Sequence, residues 1–248
     1  MSHLLIQAST PLCLLQDAGR FGVRHLGVTQ GGAADWLSMA WANWLLGNSP
    51  DAAVIEITLG GLTLVAQADC TLALAGADLA ATVDGQALKP WRSFALKKGQ
   101  TLAFTQPLSG ARAYLAAPSG FVAPQVLGSC ATVAREQLGG PDGLGRGLVA
   151  GDELSFVGDV RPLRELPREL QPGFSANPAL DVVLGAQIGA FSGKSTFDAF
   201  NSPWTLDTRA DRMGIRLLGP ALVYQGAPMI SEGIPLGAIQ VPPDGQPI

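Results

Sequence analysis

Short apolar runs, broken every few positions by glycine, proline or a polar pair, set the rhythm of this chain. The stretch "LTLVAQADCTLALAGADLAATVDGQAL" predicts two or three short strands, with "VDGQ" as a tight hairpin turn. "KKGQTLAF" (97–104) and "VAGDELSF" (149–156) share a Gly-polar turn followed by alternating apolar residues, and "SGARAYLAAPSGF" between them reads as another strand. Repeated strand-entry signals of this kind predict a meandering closed sheet. Glycine (31) and proline (18) punctuate the whole chain, which points to a barrel or sandwich rather than alternating α/β units.

One segment changes period. In "AADWLSMAWANWLLGNSP", Asp35 is a natural helix N-cap, Gly47 stands where a C-cap belongs and Pro50 follows. Leu37, Ala40, Trp41, Trp44 and Leu45 fall on one face of this helix, so the tryptophans are expected in the core. The stretch at 158–178, "GDVRPLRELPRELQPGFSANP", gathers three arginines and four prolines and reads as a connection between domains. The expected organisation is a β-rich domain over 1–160 with a helix at about 35–46, a linker over 161–178, and a second β-barrel domain over 179–248. At the C-terminus "GAIQVPPDGQPI" reads as a strand, a Pro-Asp-Gly turn and the start of a returning strand. A returning arm that short is expected to leave unpaired backbone groups, either for another chain to complete or because the sequence is a truncated form of a longer protein.

Composition narrows the function. Hydrophobic residues make up 47% and charged residues 15%, against about 25% charged in an average soluble domain. So sparse a surface charge is expected of a chain that keeps apolar surface against a partner. The net charge of −4 without basic runs argues against nucleic acid. No apolar run approaches a membrane span, and "MSHLLIQAST" lacks the basic and apolar regions of a signal peptide, so the expected compartment is the cytoplasm. Cys13, Cys70 and Cys130 are widely spaced and suggest neither a disulfide scaffold nor a metal site.

Gly193-Lys194-Ser195 resembles a phosphate cradle without being one. A P-loop needs a glycine six residues before its lysine, and that position is Ile188. The expected structure is a turn leading into a short helix capped by Ser195 or Thr196.

The blocks "QDAGRFGVRHLGVTQGGAAD", "WANWLLGN", "EITLGGLTL", "GADL", "ARAYLA", "LGSCAT", "DRMGIRLLGP" and "GAIQVPPDGQPI" run in order along nearly the whole chain. In them the chain resembles the 5-oxoprolinase C-subunit family, also called allophanate hydrolase subunit 2 or biotin-dependent carboxyltransferase-like. The resemblance implies a mainly β, cyclophilin-like barrel architecture with a few short helices. It also implies two kinds of partner chain, the B-type and A-type subunits of 5-oxoprolinase, and ATP-dependent opening of 5-oxo-L-proline to L-glutamate. ATP with Mg²⁺ is then a co-substrate, bound in part with a partner chain. Related domains instead carry carboxyl from biotin to urea, so a carboxyltransferase module is the alternative, and biotin belongs to that reading alone. A non-catalytic regulatory binding subunit is a second alternative. Relatives continue for several dozen residues beyond the last block, through a Thr-Thr-Gly-Gly-Tyr-Pro-like segment absent from this sequence.

Activating a lactam with ATP needs cations on phosphoryl oxygens, an oriented carboxylate and exclusion of water. The richest local cluster spans residues 16–35 and offers Gln16, Asp17, Arg20, Arg24, His25 and Asp35. Gly31 and Gly32, just before the helix, allow close backbone approach and suggest an anion seat. Asp35 serves equally as a plain cap, and Asp17 with Arg20 as a turn pin. His25 is a candidate acid or base. Arg212 and Arg216, around Gly214, suit a carboxylate or phosphate, or else a salt-bridged turn. "SEGIPLGAIQVPPDGQ" adds Ser231, Glu232, Gln240, Asp244 and Gln246, and the Gln240 amide complements a lactam or ureido edge. Lys194 remains a further phosphate or carboxylate candidate. The expected catalytic set is Asp35, His25, Arg212 and Gln240, with Gln16, Asp17, Arg20, Gly31, Gly32, Lys194 and Arg216 binding substrate or phosphate.

Overall fold

The computed structural model describes residues 2–158, 160–174, 179–227 and 233–248. The chain divides into two compact units, Met1–Pro178 and Ala179–Ile248. The first unit is mainly β. Its strands are β1 (Ser2–Ala8), β2 (Cys13–Gln16), β3 (Val54–Thr58), β4 (Leu62–Ala66), β5 (Cys70–Asp78), β6 (Thr82–Val83), β7 (Gln86–Ala87), β8 (Arg92–Leu96), β9 (Thr101–Phe104), β10 (Ser109–Ala116) and β11 (Glu153–Phe156). Helix α1 (Trp36–Leu46) lies between β2 and β3. The strands form two antiparallel sheets, ordered β11-β1-β4-β9-β6-β7 and β2-β3-β10-β5-β8. β9 and β11, the strands with matching entry signals, share a sheet but are separated by β4 and β1. The chain therefore crosses between sheets instead of meandering through one. The "VDGQ" turn is present, with Asp84 at φ 48° and Gly85 at φ 79°, the doubly positive geometry that an Asp-Gly pair adopts cheaply.

The two sheets enclose one core. Leu4 and Ile6 of β1, Leu62 and Leu64 of β4, Ile55 and Ile57 of β3, and Leu72 and Leu74 of β5 all point into it. The alternate residues of the five-stranded sheet face the other way, onto α1. There Val54, Ala73, Ala75, Tyr114 and Ala116 meet Met39, Ala42, Leu45 and Leu46. This sheet is buried on both faces, which is why "CTLALAGAD" reads as a continuous apolar run rather than a polar alternation. Alanines beneath the helix let it approach closely.

Helix α1 has the expected ends. Asp35 accepts a hydrogen bond from Ser38 N, and Gly47, in the left-handed conformation, closes the C-terminus. Its orientation differs from expectation. Ser38, Met39, Ala42, Asn43, Leu45 and Leu46 are buried, whereas Leu37 and Trp44 are exposed and Trp41 is only partly covered. Small residues fit against the alanine-rich sheet; a tryptophan stripe would hold the helix too far away. Asn43 and Asn48 are drawn inward because their amides satisfy the carbonyls of Pro50, Ala52 and Ala117.

The exposed edge of β8 is covered by the stretch 161–166. Ser93 N donates to Arg164 O (2.8 Å) and Leu166 N to Trp91 O (2.9 Å), while Arg92 and Glu165 form a β-bridge. The arginine- and proline-rich segment thus serves here as an edge cover of the first unit. No helix among the described residues is long and apolar enough to cross a membrane.

The second unit holds helix α2 (Gly193–Asn201) and a short ladder of β12 (Thr205–Leu206) with β13 (Leu217–Leu218). The cap of α2 is Ser192, three residues before Ser195 and four before Thr196, the two expected positions, because its side chain is the one that reaches Ser195 N. The C-terminal turn forms as read, with Gly245 N donating to Pro242 O, and Gln240 and Ile248 exchange backbone hydrogen bonds. The returning arm does not leave its groups unpaired: Leu222 N and Leu217 N donate to Gly245 O and Pro247 O, and the Gln246 amide bonds both backbone groups of Gly219.

The helix–sheet contact predicts a strict size limit. Ala75→Leu should lower stability by about 1–3 kcal/mol through overpacking, read as a shifted urea midpoint. An unshifted midpoint would mean that α1 does not pack closely on β5.

Candidate functional site

The loop after β2 and the long connection between β10 and β11 interlock. At their junction Asp17 is buried; one oxygen accepts from Gly19 N (2.7 Å) and Ser129 Oγ (2.6 Å), the other from Cys130 N (2.8 Å). Arg20 is fully buried and donates to the carbonyl oxygens of Val126 (3.0 Å), Ser129 (3.3 Å) and Ala131 (2.7 Å). Burial pulls its pKa below the ordinary arginine value, against the opposing pull of Asp17. Gln16 is buried on the same connection and donates from Nε2 to Thr132 O (3.1 Å). These three residues converge as expected. Most of their hydrogen bonds go to backbone groups, however, with Ser129 Oγ as the side-chain partner of Asp17, and the arrangement is a structural clasp between two loops.

The anion seat before α1 exists, and the protein fills it itself. Ala33 N donates to Asp17 O (3.0 Å), Ala34 N to Glu56 Oε2 (2.9 Å) and Asp35 N to Tyr114 Oη (2.7 Å). Tyr114 Oη in turn donates to Glu56 Oε2 (2.9 Å), and the Glu56 side chain is completely buried. The carboxylate at the helix N-terminus, where an external phosphate was expected, is therefore Glu56. Gly32, at φ 95°, is required because a Cβ would press on Ala18 O at 2.7 Å. Its role is close loop packing rather than ligand approach, and Gly31 likewise lies against Val133 and Arg20. Both Asp35 oxygens bond Ser38. Three consecutive N–H donors of this seat, those of Ala33, Ala34 and Asp35, are thus already engaged within the unit.

The remaining nominated residues lie elsewhere. His25 stands exposed on a 3-10 turn, Arg24–Leu26. In the second unit Lys194 is exposed and paired with Asp198 along α2. Arg212 is exposed, and Arg216 is half-buried near Asp207. Asp207 is held down to about 2, first by its hydrogen bonds to the Arg209 side chain and backbone. Gln240 pairs through its backbone and is exposed. Asp244 caps Gln246 N (3.1 Å), and Ser231 and Glu232 lie outside the described residues.

Glu56 and Tyr114 were not among the nominated residues. Both sit in strands, inside "EITLGGLTL" and "ARAYLA", and a glutamate flanked by isoleucines on a buried strand was the available signal. The register places Tyr114 directly opposite Glu56. Burial pushes the Tyr114 hydroxyl well above its ordinary value, so it stays protonated and donates. Burial also raises the thiols of Cys70 to about 11 and Cys130 to about 12, which makes neither a nucleophile at neutral pH. Among the described residues no group of three potential ligands is arranged to hold a metal ion. A separate open groove of about 760 Å³ in the first unit is lined by Lys89, Arg92, Glu165, Arg168 and Phe174 and contains none of the nominated residues. Its charges are largely paired, Lys89 with Asp78 (2.9 Å) and Arg92 with Glu165 (2.8 Å).

Two antiparallel sheets, a helix laid on one of them and interlocked loops at its N-terminus define a mainly β domain of the carboxyltransferase type. Over 100% of the chain the structure matches the crystal structure of TTHA0988, with a TM-score of 0.84 and 34% identity, and spans 48% of that protein. It thus covers about half of TTHA0988's length. Against the urea carboxylase of Kluyveromyces lactis the TM-score is 0.81 at 27% identity, over 90% of this chain and 21% of that one. In sequence it is 37% identical to the 5-oxoprolinase C subunit of Haemophilus influenzae over 94% of this chain and 74% of that protein. Residues 26–248 match the family model for the carboxyltransferase domain, subdomains A and B. The chain belongs to this carboxyltransferase-domain family, in the group of 5-oxoprolinase C subunits.

Two outcomes check the site. Glu56→Gln and Tyr114→Phe should each cost about 1–3 kcal/mol, since each leaves a buried N–H or carboxylate poorly paired; urea unfolding measures this, and a neutral Glu56→Gln would refute the internal-anion role. Thiol labelling at pH 8 should leave Cys70 and Cys130 unmodified in the native protein and reach both after denaturation.

Proposed function

We propose that this chain is one component of an ATP-dependent 5-oxoprolinase that opens 5-oxo-L-proline to L-glutamate in the cytoplasm, acting with A-type and B-type partner chains. The observation that carries this reading is the 37% identity to a 5-oxoprolinase C subunit over most of both chains. The geometry supports the need for partners. Asp17, Arg20 and Glu56, the buried charges of the loop junction, all bind backbone or neighbouring side chains of their own unit. The first unit therefore offers a scaffold rather than a self-contained reactive centre. In this reading the nucleotide and its Mg²⁺ sit mainly on a partner chain, consistent with the filled seat at α1 and the paired Lys194. ATP would supply activation of the lactam oxygen. This chain contributes groups of its second unit, Arg212 and the half-buried Arg216 for the substrate carboxylate and the exposed Gln240 amide for the lactam edge.

The second reading, transfer of carboxyl from biotin to urea or a related amide, draws on the fold shared with a urea carboxylase. It separates from the first by its response to avidin.

The reconstituted assembly should consume ATP and release glutamate from 5-oxoproline, while this chain alone should not. Gln240→Ala and Arg212→Ala should lower that release at least ~10-fold with assembly intact. An avidin-sensitive, urea-dependent reaction and no glutamate would overturn the reading in favour of the second.

A further inference from the structure

Helix α1 carries no charged residue along its length, WLSMAWANWLL. One side of it is buried against the five-stranded sheet. On the other, Leu37, Ala40, Trp41 and Trp44 recur at three- and four-residue spacing as a stripe, with Leu37 43% and Trp44 49% exposed. Trp36, at the first turn, is 63% exposed. A helix facing water normally carries polar and charged residues on its outer side, and an apolar stripe there marks a contact surface. Tryptophan is the side chain most enriched among residues that dominate binding energy at protein interfaces.

The rim of the stripe is cationic. The Arg164 guanidinium lies 5.9 Å from the centre of the Trp44 ring, and its Nη1 donates to Trp44 O (3.3 Å). Among the described residues no carboxylate pairs with Arg164: its neighbour Glu165 is bonded to Arg92, and Asp35 at the other end of the helix is bonded to Ser38. An apolar centre with an unneutralised arginine at its edge calls for an apolar cleft edged by carboxylates. A second copy does not fit. In an antiparallel two-fold contact the Arg164 rim of each copy would meet the other's Asp35 end, where the carboxylate is already bonded to Ser38, and in a parallel one the two cationic rims would face each other.

We propose that the Leu37–Trp41–Trp44 stripe, with Arg164 at its rim, is the docking face for a different protein chain that presents an acid-rimmed apolar cleft. Naming that chain as the B-type partner rests on the proposed function; the surface itself rests on the helix.

The test titrates the full chain against the B-type 5-oxoprolinase protein of the same organism, using sedimentation velocity. Leu37→Ser combined with Trp44→Ser should weaken association roughly 100-fold with an unchanged melting temperature. Arg164→Glu should weaken it about 10-fold and flatten its salt dependence, and Arg164→Lys should restore most of the loss. Wild-type affinity in the double variant would overturn the proposal. So would a Trp44-dependent dimer of this chain alone, or Trp44 shielded from acrylamide quenching in the isolated monomer. Glutamate release, measured on the same mixtures, separates the two proposals. Association through the stripe without glutamate would sink the enzymatic reading and leave the surface standing. Full release by the double variant would do the reverse.

Discussion

The carboxylate of Glu56 is the constraint on which the first unit depends. A fully buried anion is costly unless every lone pair is used. Here Ala34 N and the Tyr114 hydroxyl converge on one oxygen, and Arg112 approaches the other at 3.9 Å. Because Glu56 and Tyr114 stand opposite each other on neighbouring strands, the sheet register fixes where the helix must begin. The Tyr114 oxygen then accepts from Asp35 N, so consecutive backbone groups at the start of α1 are held from the sheet side.

From that point the order propagates outward. The loop before α1 is held on its other side by Asp17 O, and Asp17 uses its own carboxylate to hold Ser129 and Cys130. Arg20 completes the clasp through three carbonyls of the same connection. A long connection without regular secondary structure becomes well ordered because two buried ionisable groups satisfy its backbone. The same charges that looked like chemistry in the sequence are what keep the loops in place.

This division of labour bears on function. A unit that uses its buried charges internally, covers its β8 edge with its own chain and exposes an uncharged tryptophan stripe has the traits of a scaffold for an assembly. Its relative's designation as the C subunit of an enzyme fits that character. Arg212, Arg216 and Gln240, on which the proposed shared site draws, lie in the second unit.

The sequence alone determined the mainly β class, the strand runs at β4–β7 and β9–β11, the Asp84-Gly85 turn, both caps of α1 and the gathering of Gln16, Asp17 and Arg20 near Gly31 and Gly32, but not β8. These follow from local rules: turn geometry, capping chemistry and period. Tertiary structure decided which side of α1 faces inward, since apolar residues occupy both sides and only the alanine floor of β5 and β10 selects the smaller ones. It also decided that the anion at the helix start is Glu56, twenty-one residues further along the chain than Asp35. Periodicity reports what a segment can bury, whereas the partner of a buried charge is set by strand register, which depends on the whole sheet.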